Sequence, residues 1–416
     1  MYVSHPIVSV PHPEMRERAE PVMAAIVELA TETEAYANRT AGPHTAADTS
    51  RPAAAAVVVE RITVTDDPEA IFERFASEAW TDGLPIVPPT EERVAQMLAF
   101  SDLDPSFSLG PMPPRWGEAT IAKLAVNAVM AGCKPEYFPV IVTAVKAILG
   151  KPFNLYGIQG TTNPASPVLI VNGPIAREIG VNASGNLFGP GFRANATIGR
   201  AIRLIMTTIG GGVPQQADKS TLGNPAKFTC CFAENEANSP WAPLHVERGF
   251  EAETSTVTAF GGAAPANIID KSKTAYEMLE TIARAIAVSG SNNMFMSQEA
   301  LLVLGPEHAS IAARQGFDKK QVRQTVFEHA RIPFEQIGQS NADVLGVWRG
   351  NCIEDVDGRR TLRIAEKPED IIIVVAGGAG NHSASIPGWY SQSVTLPLTR
   401  ADGTPILRRG IEERIG

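Results

Sequence analysis

Apolar positions follow a helical period in the first third of the chain and form short continuous runs further on. Ile121, Leu124, Ala125, Ala128 and Val129 recur at i, i+3, i+4, i+7 and i+8. That spacing predicts a helix over 118–131, stopped by Gly132. A second helix is predicted from Tyr137 to Leu149, with Gly150 as its stop. Upstream, a strand is predicted over 57–64 and a helix over Pro68–Trp80. Thr81-Asp82-Gly83-Leu84-Pro85 is a turn signal, prolines hold the following stretch extended, and Thr90 caps another helix.

Beyond residue 150 the strand signals are Val168–Val171, Lys227–Phe232, Ser255–Phe260, Leu301–Leu304 and Ile371–Val375. Helices are predicted at 196–209, 272–287, 307–315 and 319–330, the last capped by Asp318. Continuously apolar strands that alternate with helices predict an α/β fold with a buried, mostly parallel sheet. The stretch PVLIVNGPIAREIG from Pro167 matches EALLVLGPEHASIA from Glu299 at five of fourteen positions, which suggests an internal duplication.

Residues 1–36 read as a lone strand and helix, the helix carrying Val22, Met23, Ile26 and Leu29 on one side, and 37–56 read as a linker. One strand and one helix do not bury a core alone, so this unit needs a partner surface. The expected organisation continues as a mainly helical region over 57–150 and an α/β body over 151–416. A length of 416 residues fits two or three domains. No 18-residue apolar stretch and no secretory signal are visible, so no membrane association is expected. A net charge of −9 argues against a nucleic-acid surface. The four cysteines form no CxxC pair, and reduced thiols in the cytoplasm are the simplest reading.

In α/β sheets, ligands collect beyond the carboxyl ends of strands. That rule selects Asn172-Gly173-Pro174, Gly305-Pro306-Glu307-His308 and the glycine run ending in Asn381-His382-Ser383. His308 and His382 are acid/base or metal-ligand candidates there, or each caps a helix or bonds a carbonyl. The glycine run offers consecutive N–H groups to an anion, but it is neither a P-loop nor a clean GxGxxG. The segment 230–250 holds Cys231, Glu234, Glu236, His245, Glu247 and Arg248. Its carboxylates and imidazole suit acid/base work or a divalent metal, with His245, His308 and His382 as candidate ligands; ion pairs from Arg248 that tie the loop down are the plainer alternative. Cys231 is a candidate nucleophile or a core thiol. Arg193 and Asn195, entering a helix, suit a substrate carboxylate, or Asn195 simply caps that helix.

Several stretches resemble the long members of the UGSC-like (seleno)protein family: TDGLPIVPPTEERV (81–94), PPRWGEATIAKLAVNAVMAGCKPEYFPVI (113–141), GPGFRANATIGRAIRLI (189–205), CFAENEANSPWAPLHVERGF (231–250), LVLGPEHA (302–309) and IIVVAGGAGNHS (372–383). The resemblance spans about residues 57–400. It implies thiol or selenol chemistry in a small α/β domain bearing Cys/Sec-Gly-Ser-Cys. That motif is absent from this sequence, while residues 6–30 resemble the last strand and helix of the small domain. The cysteine-bearing head is then either a separate polypeptide that docks on residues 1–36, or lost.

The expected function is the large subunit or body of an oligomeric enzyme. It would act on a small polar, carboxylate-bearing molecule by acid/base or metal-assisted hydrolysis or elimination. In this reading His308, His382, His245, Glu234, Glu236 and Cys231 are catalytic, while Arg193, Asn195, Asn172 and Arg248 bind substrate. The alternatives are a thiol- or selenol-dependent oxidoreductase or transferase completed by a small Cys-bearing subunit, and a non-catalytic ligand-binding or scaffold subunit.

Overall fold

The structure is a computed structural model that describes residues 61–296 and 298–404. The units expected over 1–36 and 37–56, and the first half of the strand expected at 57–64, lie outside the described residues.

Helices Pro68–Ser77 and Glu91–Leu98 begin the described chain, capped by the side chains of Asp67 and Thr90. A hairpin follows, β1 (Ser108–Met112) and β2 (Gly117–Thr120). The first turn of the helix expected from 118 is therefore strand, and the helix proper is Ile121–Ala131. Thr120 caps it at one end, and Gly132, at φ 86°, ends it in the left-handed conformation. Helix Phe138–Leu149 follows. These two helices do not build a core of their own. They pack with the 193–208 helix onto one face of the first main sheet.

The remaining strands are β3 (Ser166–Asn172), β4 (Cys231–Ala233), β5 (Thr256–Gly262), β6 (Ala266–Ile269) and β7 (Ala300–Leu304), then β8 (Arg331–Pro333), β9 (Ile353–Val356) and β10 (Arg359–Arg363) in a small side sheet, and β11 (Ile371–Val375), β12 (His382–Pro387) and β13 (Val394–Pro397). The expected strand at 227–232 shrinks to β4, because Pro225–Lys227 forms a 3-10 turn. Helix Lys319–His329 carries the expected cap as a reciprocal box between Asp318 and Gln321.

The fold mixes helices and strands, but the sheets are not mostly parallel. The first has the order β13-β5-β3-β4 and the second β6-β12-β7-β11. Only the β3–β4 and β7–β11 ladders of these two sheets are parallel; the other four are antiparallel. Continuous apolar strands report burial on both faces, not direction. Here both faces are buried because the two sheets pack against each other and each carries helices outside. Along β3, Val168 and Ile170 enter the layer between the sheets while Leu169 and Val171 face the helices. Along β7, Leu301 and Val303 enter the shared layer while Ala300, Leu302 and Leu304 face helices 275–286, 306–314 and 319–329. The layers run helix, sheet, sheet, helix.

The two sheets also share one topology. In each, a central strand (β3 or β7) has a parallel neighbour on one side (β4 or β11) and an antiparallel one on the other (β5 or β12). The outermost strand is exchanged: the chain leaves β5 to form β6 in the second sheet, and leaves β12 to form β13 in the first. The two crossings meet at a bridge between Gly262 and Gly388. A Cβ at Gly262 would lie 2.6 Å from the Phe260 ring and 2.9 Å from the Pro387 carbonyl, so the close approach needs glycine.

The register corrects the sequence match from which the duplication is suspected. Aligning the Gly-Pro pairs sets Val168 against Ala300, yet Val168 faces the inter-sheet layer and Ala300 faces the helices. Ladder partners and facing pair Ile170 with Val303 instead, one residue out of step. Uniformly apolar strands match at any register, so their letters do not fix the pleat.

Among the described residues no single helix is long and apolar enough to cross a membrane.

Candidate functional site

The shared topology defines equivalent positions on the inter-sheet faces. Ile170 is opposite Phe232 and Thr258, and Thr258 is opposite Thr395. In the second sheet, Val303 is opposite Val374 and Ala384, and Ala384 is opposite Asn267. One step along each strand, Asn172, Glu234 and Thr256 correspond to Gly305, Ala376 and His382. At the positions of Asn172, Glu234 and Thr258 the second sheet carries the smaller Gly305, Ala376 and Ala384, whereas His382 and Asn267 stand where the first sheet has Thr256 and Thr395.

In the first half these groups form a largely buried network, in which Asn172 Oδ1, His245 Nδ1 and Thr256 Oγ1 bond no partner among the described residues. Asn172 Nδ2 donates to Glu234 Oε2 at 2.8 Å and to Glu236 Oε1 at 3.1 Å. Glu234 also accepts from the N–H of Leu244 at 2.7 Å and of Val375 at 3.4 Å. Burial pushes the Glu234 carboxyl above its usual range, more than Lys319 and these donors lower it. Glu236 accepts from the Gly173 N–H at 2.7 Å, and His245 Nδ1 lies 3.8 Å from the same Glu236 oxygen. His245 Nε2 donates to the Ala252 carbonyl at 3.2 Å. Thr258 and Thr395 share a hydrogen bond of 2.8 Å, and Arg248 donates to Thr395 at 2.9 Å and to Ser393 Oγ at 2.6 Å. The β4–β5 connection, residues 234–255, lays Leu244, His245 and Arg248 over this face and seals it.

In the second half the same place is open. The β11–β12 connection is only residues 376–381, and a cavity of about 810 Å3 occupies the uncovered face. Val303, Gly305, Ala376, His382, Ala384 and Asn267, the residues just placed by register, all line it. Thr229, Cys230 and Cys231 also line it, as does Phe188, exposed and edge-on to Phe232 at 5.3 Å. Within the described residues the N–H groups of Gly378 and Ala379 donate to no protein acceptor, whereas Gly377 donates to Ala183. His382 is exposed, and its Nδ1 lies 3.1 Å from Asn267 Oδ1. An amide oxygen only accepts, so Nδ1 carries the hydrogen, and in the neutral ring Nε2 holds the lone pair. A second, polar hollow of about 630 Å3 lies across the same glycine loop, lined in part by Asn235, Glu307 and Arg314.

The expected rim of Asn172, His308 and His382 is thus not one site. His382 is in the cleft and Asn172 in the sealed counterpart. His308 is fully buried on the helix side of the second sheet. Its Nε2 donates to the Asp270 carbonyl at 3.1 Å, and its Nδ1 accepts from Ser383 Oγ at 2.7 Å. With both ring nitrogens engaged, it ties a helix start to β12. Asn172, Glu234, Glu236 and His245 do converge, away from His382. The three histidines do not gather, and no group of three or more His, Cys, Asp or Glu is arranged to hold a metal among the described residues.

Cys231 lines the cleft wall, but burial drives its thiol well above the usual range, and its neighbour Cys230 up to about 12. Neither is a thiolate near neutral pH, which removes the chemical basis for a nucleophile. Arg193 and Asn195 do not form an anion clamp. Arg193 donates to the Gly132 carbonyl at 3.0 Å and lies outside the cleft lining. Asn195 is the third residue of helix Arg193–Thr208, not its cap, and both ends of its amide bond the backbone of Asn182, at 2.7 and 3.0 Å. Arg248 belongs to the β13 edge. The sequence reading missed Asn267 and the backbone of residues 185–189; Asn267 sits in a four-residue strand with three exposed positions, which leaves little apolar pattern to find.

No protein-family model matches the chain, and no curated protein matches it significantly.

Proposed function

We propose that the chain is the body of an enzyme that works on a small organic molecule in the inter-sheet cleft by proton transfer at His382, in a hydrolysis or an elimination. One observation carries this reading: apart from two buried, protonated thiols, His382 is the ionisable side chain of the cleft lining. Its tautomer is held by Asn267, and Nε2 is left as a base. His382 Nε2 takes a proton from the attacking water or from a substrate C–H and returns it to the leaving group. The N–H groups of Gly378 and Ala379 offer donors for an oxygen that gains charge. A volume of about 810 Å3 is that of a small-molecule site.

The arginines assigned to a substrate carboxylate lie elsewhere, so that part of the expectation is not carried forward. The test is to screen small-molecule hydrolysis and elimination with the wild type and His382→Ala; turnover that survives in the variant removes His382 from the chemistry.

The resemblance to the UGSC-like family supports a second reading, in which a separate small subunit brings the reactive Cys or Sec. The chain's own thiols at positions 133, 230, 231 and 352 are unpaired and buried, which suits a reducing cytoplasm and leaves thiol chemistry to a partner. Co-purification from the native source and intact mass of any bound polypeptide decide between the two. A protein that binds ligand in the cleft and shows no turnover would support the scaffold alternative.

A further inference from the structure

We infer that the cleft takes an uncharged carbonyl compound with a branched aliphatic arm, such as an amide, ester or lactone. The inference rests on reading the cleft as the place where His382 works, and it names the substrate class for that site. The first support is charge. The lining contains no Lys, Arg, Asp or Glu, so an ammonium group finds no counter-ion there, and a carboxylate would find one only in a protonated His382, which would then be lost as the base.

The second support is the pattern of hydrogen bonding. Gly378 and Ala379 present N–H groups, and Asn267 Nδ2 bonds no acceptor among the described residues, while its Oδ1 is engaged by His382. A carbonyl oxygen is the neutral partner for such donors.

The third support is the sealed counterpart. There Leu244, a branched aliphatic side chain on an amide backbone, is buried between the sheets with its N–H on Glu234, the register counterpart of Ala376. In the cleft the Asn, Glu and Thr of that wall are replaced by Gly305, Ala376 and Ala384. These smaller residues, together with the short 376–381 connection, leave the corresponding volume free.

The test is a titration with three matched probes followed by ligand-observed NMR: N-acetyl-leucinamide, N-acetyl-leucine and leucinamide, which are neutral, anionic and cationic at pH 7. The neutral probe should bind at least tenfold more tightly than either charged one. Ala379→Trp, on the exposed loop at the mouth, should weaken it at least tenfold while leaving the thermal midpoint in place. Equal or tighter binding of a charged probe, still sensitive to Ala379→Trp, overturns the uncharged class and leaves the cleft as the binding site. Binding insensitive to Ala379→Trp overturns the cleft itself, and failure of the neutral probe to bind overturns the inference outright.

Discussion

The two halves of the molecule use one strand topology to opposite ends. In the first, the long β4–β5 connection returns over the inter-sheet face and buries Asn172, Glu234 and His245 beside the part-buried Glu236, with Asn172 hydrogen-bonded to both carboxylates. In the second, a six-residue connection, 376–381, leaves the equivalent face bare and lined by smaller residues. The difference teaches that a site need not be built by adding groups. Withholding the cover and trimming the wall side chains produces a cleft where the sister half has core.

Breaking the open half should cost activity and breaking the closed half should cost stability. The largest effect is expected for His382→Ala: a loss of at least about a hundredfold in turnover, with a stability change within about 0.5 kcal/mol because the residue is exposed. An unfolded variant, or one with full activity, breaks the comparison.

Asn172→Ala comes next. It strips two carboxylates of a shared donor in a sealed layer, and urea denaturation should show a loss of about 3 kcal/mol. Ala384→Ser, on the open counterpart face, should stay within about 1 kcal/mol. Equal losses at both positions would mean the two faces are equally packed.

Gly262→Ala strikes where the exchanged strands cross. Because the new Cβ meets the Pro387 backbone, about 2 kcal/mol should be lost. A neutral result would show that the crossing yields.

The smallest and sharpest test is pH. Burial raises the Glu234 carboxyl above its ordinary value of 4.5 in the folded protein, so the folded state holds that proton more tightly than the unfolded chain. Stability from this group is highest in acid and falls as pH rises from about 4.5 through the folded-state pKa, then levels off. The wild-type minus Glu234→Gln difference in unfolding free energy should therefore decline over that interval; a rising or flat difference would show that the buried carboxyl is not strained.

Helices Phe138–Leu149 and Lys319–His329 and strand β11 were readable, since their apolar period, their caps or their uninterrupted run are local properties. Strand β12 was not. His382-Ser-Ala-Ser-Ile-Pro sets polar residues on both faces: Ser383 serves His308, and His382 looks into the cleft. The glycine run and His382 were visible as candidates because glycines and a histidine after an apolar strand are unusual. Their separation from His308 was not visible, because a residue just past an apolar strand can turn to either layer, and His308, on the helix that follows β7, turns to the helix side of the second sheet.

By itself the sequence determined where the main helices and the most apolar strands lie, that those strands are buried, and that chemistry-bearing residues cluster after β4, β7 and β11. Only the tertiary structure decided the strand directions, the exchange of β6 and β13, and which of two like faces stays open. Pattern along a chain records how much of each residue is covered. It does not record what covers it, and a pleat shifted by one residue sends the same letters to opposite sides of a sheet.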